Sequence, residues 1–215
     1  NISNLSNRKL FLIIFAFNLI LGLSLLPFIN ENFMSSDAFH YMSVAKSIYN
    51  GEGYMSHTVE FMGIRPESIP YPDIFKPPLF STILAVSYYI FGLNFFAAKI
   101  VNIILGSFIA PLTFLFMLRL SKSKNLALLA GAIITFDWTL IKFRGWILSD
   151  ITYLLFTLIF FILMYKSKNK YHYTLLGAIT ALAYLTRYQG FYLLFPTLLV
   201  YEWINNKNIK KIITN

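Results

Sequence analysis

The sequence of 215 residues contains no cysteine. This absence excludes disulfides, thiolate metal sites and thiol nucleophiles, although it does not identify the redox compartment. Charged residues are also scarce: they make up 13% of the chain, about half of their share in soluble domains. With 57% hydrophobic residues and a mean hydropathy of +0.63, the chain would expose too much apolar surface to stay soluble. The composition therefore predicts an integral membrane protein.

The net charge of +9 would favour nucleic-acid binding in a soluble protein. Here the basic residues fall mainly between apolar segments, where loop topology and anionic lipid headgroups explain them better. We therefore expect a lipid bilayer, and no nucleic acid, as a partner. The sequence also lacks a glycine-rich phosphate loop and a convincing Ser-His-Asp order.

The apolar segments predict an all-α, polytopic helical bundle that forms a single membrane domain over residues 1–215. We expect spans at about 10–29, 95–118, 126–142, 150–165, 173–186 and 190–204. Residues 30–78 form a long polar first loop, and helices at about 37–50 and 79–91 are expected to lie on the membrane surface. Since the chain begins with Asn1 and stops just after a span, we expect the N-terminal fragment of a longer protein.

The basic clusters decide how the segment 79–92 is interpreted. Clusters occur at 8–9, 119–124, 166–170 and 207–211. All four fall inside the cell if 79–92 lies on the outer surface, whereas two fall outside if it crosses. The segment is also short for ~30 Å of hydrocarbon. The sequence therefore predicts six spans with both termini inside, in the plasma membrane.

Three polar clusters interrupt the apolar sequence, and this topology places all of them on the outer side. They are SDAFHY at 36–41, FKPPL at 75–79 and RGWILSD at 144–150. Asp37 falls in the first turn of a helix, and His40 and Tyr41, one turn along the same face, are candidate substrate-binding residues. A first-turn acid also compensates the helix dipole, so a purely structural role is an alternative.

The basic residues of these clusters have structural alternatives too. Lys76 is either a point charge for a phosphate or an interfacial lysine before a helix that begins at the prolines. Arg144 and Asp150 are candidates for function. The structural alternative is an ion pair that holds the loop, either Arg144 with Asp150 or Lys142 with Asp137. Arg187 interrupts the last apolar stretch, where it either marks a hairpin or binds phosphate.

Together these residue types suit chemistry on a lipid-borne phosphate. A phosphate leaving group needs cations, and we expect Lys76, Arg144 and Arg187 to converge on one outer pocket near Asp37 and Asp150 to supply them. An acceptor hydroxyl needs a carboxylate base, for which Asp37 is the best-placed candidate. Asp37 and Asp150 are also the candidates for ligands of a divalent metal, which the sequence leaves open.

Three further motifs accompany the clusters: NGEGY at 50–54, AAKI at 97–100 and LTR at 185–187. Together they resemble the GT-C superfamily of membrane glycosyltransferases, in the branch of protein O-mannosyltransferases and aminoarabinose transferases. The resemblance implies an inverting transfer of a sugar from a polyprenyl- or dolichyl-phosphate donor to a protein, lipid or glycan, at an extracytoplasmic active site. It implies Asp37 as base or metal ligand, Lys76 as phosphate contact and Asp150 as second acid. Phe75 stands where the family often has an acid, and this difference weakens the argument for a metal site.

Two other classes of function remain alternatives. A transporter or flippase for a lipid-linked sugar would use the same cations, but it would need charges that continue toward the inner side, where Glu202 is the only acid. A non-catalytic membrane assembly module would use the loop 30–78 to bind a partner. A cavity shared by the carboxylates of Asp37 and Asp150 would favour the enzyme. Carboxylates far apart, each capping its own helix, would favour the module.

Overall fold

The computed structural model describes residues 5–28, 35–59, 66–165 and 171–206. About three quarters of these residues are helical and only two short strands occur among them, so the predicted all-α fold is confirmed. The helices are α1 (Asn7–Leu25), α2 (Ser36–Tyr49), α3 (Pro78–Phe91), α4 (Phe95–Ser107), α5 (Ile109–Ser121), α6 (Lys124–Thr135), α7 (Trp138–Gly145), α8 (Asp150–Met164), α9 (His172–Thr186) and α10 (Gln189–Asn206). In the first loop, β1 (Met55–Ser56) pairs antiparallel with β2 (Tyr71–Pro72).

Local sequence signals set the ends of α3 and α4. Pro77 precedes α3 in an extended conformation and Pro78 occupies its first turn, where a missing backbone N–H costs nothing. Gly92 ends α3 with a φ of +81°, which favours glycine. Asn94 then caps α4 by accepting a hydrogen bond from the backbone N–H of Ala97 at 2.8 Å.

Two helical segments are long and apolar enough to cross a membrane. They are Asn7–Phe28, with 22 residues, and Phe95–Ser121, with 27 residues, which joins α4 to α5. The pair α6–α7 forms a third candidate that bends by 52°. Helices α3 and α8 are apolar but shorter. Helix α9 ends at Thr186 and α10 begins at Gln189, so the predicted interruption at Arg187 lies between them. The count of six spans stays a prediction.

The helices pack around three apolar clusters. One joins α2, α3 and α4, the second joins α8, α9 and α10, and the third joins α1, α5 and α6. Small and polar residues provide close contacts between membrane helices, because lipid removes the hydrophobic drive that operates in water. Asn18 of α1 accordingly donates to Thr135 Oγ1 of α6 at 3.0 Å.

Basic residues mark one end of the bundle. Lys124 Nζ donates to the carbonyl of Leu5 at 2.5 Å, and the Arg119 guanidinium donates to the carbonyl of Ile162. Ile162 lies near the end of α8, whereas Asp150 begins this helix, so the two are about 18 Å apart along its axis. The basic clusters at 8–9 and 119–124 therefore lie at the end opposite Asp150. Those at 166–170 and 207–211 lie outside the described residues.

Candidate active site

The first carboxylate–cation pair lies where α2 and α3 begin. Asp37 is in the first turn of α2, and Lys76 directly precedes the two prolines that open α3. Lys76 Nζ lies 3.0 Å from Asp37 Oδ2. The lysine side chain is 12% exposed and the carboxylate 38% exposed, so the pair is open to a ligand from the carboxylate side.

The second pair joins the start of α8 to the turn between α9 and α10. Arg187 Nη1 contacts Asp150 Oδ1. Asp150 is in the first turn of α8, where the positive end of the helix dipole favours a carboxylate. The turn that carries Arg187 is closed by a hydrogen bond of 2.8 Å from the backbone N–H of Gly190 to the carbonyl of Arg187.

Tyr41 lies between these two pairs. Its ring is 5.3 Å from Lys76 Nζ, a cation–π distance, and its hydroxyl lies 2.9 Å from Ser149 Oγ. Burial raises the pKa of Tyr41 to about 12, and the charges of Arg187, Asp37 and Asp150 all act on its hydroxyl. One phenol is therefore surrounded by two acids and two cations. We call Asp37, Lys76, Asp150 and Arg187 the four-charge site.

His40 pairs within the first loop, and its predicted contact with substrate stays a prediction. It is fully buried, and its Nε2 lies 3.0 Å from Asp73 Oδ1, whose side chain is equally buried. Its Nδ1 lies 3.3 Å from Thr58 Oγ1, which is 2.7 Å from the hydroxyl of Tyr71. Buried polar groups need such partners, so His40 holds the β1–β2 ribbon against α2.

The same loop fixes the position of Lys76. Asp73 Oδ1 accepts from the backbone N–H of Phe75 at 3.0 Å, and the Tyr54 hydroxyl donates to the carbonyl of Lys76 at 2.8 Å. Burial raises the pKa of Tyr54, which keeps this donor protonated. Sequence patterns did not single out Tyr54, Thr58 or Ser149 as contributors, because loop contacts leave no periodic signal in a sequence.

Arg144 does not form an ion pair with any residue of the four-charge site. It belongs to α7, is 3% exposed and lies against Gly106 of α4, where an added Cβ would be 2.6 Å from Arg144 Cγ. All three of its guanidinium nitrogens are buried without a hydrogen-bond partner among the described residues. Its predicted convergence with Lys76 and Arg187 stays a prediction.

The two loop ion pairs offered as structural alternatives are not formed. Asp150 pairs with Arg187 rather than with Arg144. Lys142 Nζ lies 4.5 Å from the centre of the Trp146 ring. Asp137 instead caps α7 by accepting from the backbone N–H of Leu140 at 2.8 Å.

The carboxylates do not match the requirements of a divalent metal site. Hard divalent cations take several oxygen ligands, and across the described ranges no three His, Asp or Glu side chains lie together as such a group. Asp37 and Asp150 each face a cation instead of another acid. Asp73, the acid nearest Phe75 in sequence, is paired with His40. We therefore derive no chemical step through a metal.

Comparison with known proteins identifies the family. The family model described as dolichyl-phosphate-mannose-protein mannosyltransferase matches residues 74–212. An uncharacterized protein of Aquifex aeolicus (strain VF5) is 29% identical over 115 residues, which are 52% of this chain and 23% of that protein. The match thus spans about a quarter of this curated relative. No solved structure matches the chain. On the match over most of its length, this chain belongs to the dolichyl-phosphate-mannose-protein mannosyltransferase family.

Proposed function

We propose that this protein transfers mannose from a dolichyl- or polyprenyl-phosphate donor to a hydroxyl group of a protein, lipid or glycan, and that the four-charge site carries the reaction. The family match supports the donor class. One observation supports the assignment to this site: the ion pairs Asp37–Lys76 and Asp150–Arg187 both lie near Tyr41. An assembly module would not need both pairs at one phenol.

The reaction assigns a role to each charge. The acceptor oxygen attacks the anomeric carbon of mannose, and Asp37 takes the hydroxyl proton. The bond from this carbon to the phosphate oxygen breaks, and the lipid phosphate leaves with the electron pair. Lys76 and Arg187 stabilise the negative charge that develops on this leaving group. Asp150 holds the guanidinium of Arg187 in place. Attack from the face opposite the phosphate inverts the anomeric configuration, as the resemblance implies.

The contact between Lys76 and Asp37 suggests how the donor prepares the base. In the free site, the lysine ammonium occupies Asp37 Oδ2 at 3.0 Å. The donor phosphodiester carries one negative charge, as the carboxylate does, and gains further charge as the bond to the sugar breaks, so it competes for the same ammonium. Donor binding then draws Lys76 toward the phosphate and leaves Asp37 free to accept the acceptor proton. Arg144 is a third phosphate cation only if the bound donor reaches α7.

We further propose that the site faces the extracytoplasmic side of the plasma membrane. The positions of basic residues support this orientation. Arg119 and Lys124 lie at the end of the bundle opposite Asp150, and basic loops favour the cytoplasmic side.

The test is transfer of radiolabelled mannose from a polyprenyl-phosphate donor by membranes that contain the full-length protein. Asp37→Asn should lower turnover by about 100-fold or more, because an amide cannot take the proton. The matched control is Glu52→Gln. Glu52 is in the same loop, pairs with His57 at 2.6 Å and is 37% exposed, against 38% for Asp37. Full turnover by the Asp37 variant, or equal loss in both variants, would contradict the role of Asp37.

A further inference from the structure

Asn102 of α4 holds the segment that leads into the candidate site. Its side chain is fully buried, and Nδ2 donates both to the carbonyl of Leu148, at 2.9 Å, and to the carbonyl of Trp146. Its Oδ1 has no hydrogen-bond partner among the described residues. The amide therefore acts only as a double donor, and both of its bonds go to the connection between α7 and α8. We call residues 146–149 the site loop.

The site loop is continuous with two contacts of the four-charge site. Ser149 is the residue before α8, yet its side chain makes no hydrogen bond to that helix and lies 2.9 Å from the hydroxyl of Tyr41. The next residue, Asp150, pairs with Arg187. A shift of the site loop would therefore move both contacts together.

We propose that Asn102 is a positioning residue of the transferase, which fixes Ser149 and Asp150 relative to Tyr41 and Arg187. This inference rests on the proposed function, in which Asp150 holds Arg187 for the leaving phosphate. Within the described part of the chain, the hydrogen bonds of Asn102 go to the site loop and not to the four-charge site itself. Its contribution is to satisfy the buried carbonyl of Leu148 and the partly buried carbonyl of Trp146, because a buried carbonyl without a partner is costly.

Asn18 provides a matched control for the loss of a buried amide. It is fully buried, its Nδ2 also makes two hydrogen bonds, to the carbonyl of Ile14 at 2.9 Å and to Thr135 Oγ1 at 3.0 Å, and its Oδ1 also has no partner within the described part of the chain. Its bonds join α1 to α6 and do not reach the site loop. Asn18→Leu thus reproduces the general cost of the substitution without releasing Ser149 and Asp150.

The first readout does not depend on catalysis. Ile147 lies in the site loop and is fully buried. In the full-length protein with Cys at position 147 as its only cysteine, Asn102→Leu should raise the rate of labelling by a water-soluble thiol reagent at least about tenfold. Asn18→Leu should leave this rate unchanged. An unchanged rate in the Asn102 variant would overturn the proposal.

The second readout separates positioning from general destabilisation. On the protein with Ile147 intact, Asn102→Leu should lower kcat by about tenfold or more, while KM for the lipid-phosphate donor changes less, since Lys76 is untouched. Asn102→Gln keeps both N–H donors and should recover part of kcat. Equal loss of kcat in Asn18→Leu would overturn the positioning role. Absence of transfer by the unaltered protein would contradict the proposed function instead, and labelling at position 147 would still decide whether Asn102 holds the loop.

Discussion

The hydroxyl of Tyr41 lies 2.9 Å from Ser149 Oγ and joins the first loop to the start of α8. Between these residues 107 others intervene in the chain, so only the folded bundle brings them together. The contact links the pair Asp37–Lys76, on α2 and before α3, to the pair Asp150–Arg187. The two acids of the candidate site begin different helices, α2 and α8, and the charges of both act on this phenol.

We expect Tyr41→Phe to lower kcat by about 3- to 10-fold, the effect of one lost hydrogen bond, because Phe retains the ring beneath Lys76. Since burial raises the pKa of Tyr41 to about 12, the phenol keeps its proton at neutral pH and does not act as a base. The pH–rate profiles of the parent and the variant should therefore have the same shape between about pH 6 and 9. Loss of an ionisation in the variant would contradict this role.

Lys76→Ala should raise KM for the lipid-phosphate donor by about 10- to 100-fold, because the variant loses a charge-assisted contact. KM for the acceptor should change far less. Lys76→Arg keeps the charge and should bind donor better than the alanine variant, although the planar guanidinium fits a different geometry. Separate titrations of donor and acceptor measure both constants. A larger rise in KM for the acceptor than for the donor would contradict the role of Lys76 as a phosphate contact.

Arg187→Gln, Asp150→Asn and the double variant test the second pair. Their side chains are 30% and 41% exposed, so solvent screens the pair and its coupling in unfolding free energy should stay below about 1 kcal/mol. Transfer should nevertheless fall by about 100-fold in Arg187→Gln, since the leaving phosphate loses a cation. Thermal unfolding and turnover are measured on the same preparations. Parallel losses of stability and activity would indicate a structural role instead.

Single cysteines in an otherwise cysteine-free protein test the orientation. A cysteine at position 124 should react with a membrane-impermeant thiol reagent only in inside-out vesicles, because Lys124 lies at the basic end of the bundle. A cysteine at position 52, in the first loop with Asp37 and Lys76, should react only in intact cells or right-side-out vesicles. Labelling of position 124 from outside would refute six spans with residues 79–92 on the outer surface.

Gly190→Ala should destabilise the α9–α10 hairpin by about 1–3 kcal/mol. An added Cβ would lie 2.5 Å from the backbone nitrogen of Tyr184 and would also overlap the backbone of Ala183, which cannot move aside as a side chain can. The control is Gly177→Ala in α9, where a Cβ meets nothing within 4 Å and alanine favours the helix. Thermal unfolding in detergent compares the two. Equal stability of both variants would contradict the close contact.

The sequence predicted much of the secondary structure because its signals are local. The prolines at 77 and 78 set the start of α3, Asn50 and Gly51 end α2, and Arg187 marks the interruption between α9 and α10. Composition was sufficient for the all-α membrane class, since sparse charge and long apolar segments leave few alternatives. The order of the polar clusters also pointed to the family that the comparison then established.

The tertiary structure decided which charges meet, because partners in an ion pair are separated by loops whose path no periodicity encodes. The sequence by itself selected Asp37, Lys76, Asp150 and Arg187, but only folding paired them as Asp37 with Lys76 and Asp150 with Arg187. Folding also turned His40 toward Asp73 and buried Arg144 against Gly106. Side chains on one helical face point in different directions when a ribbon or a neighbouring helix offers one of them a closer partner. A buried polar group needs a hydrogen-bond partner, wherever in the chain that partner lies.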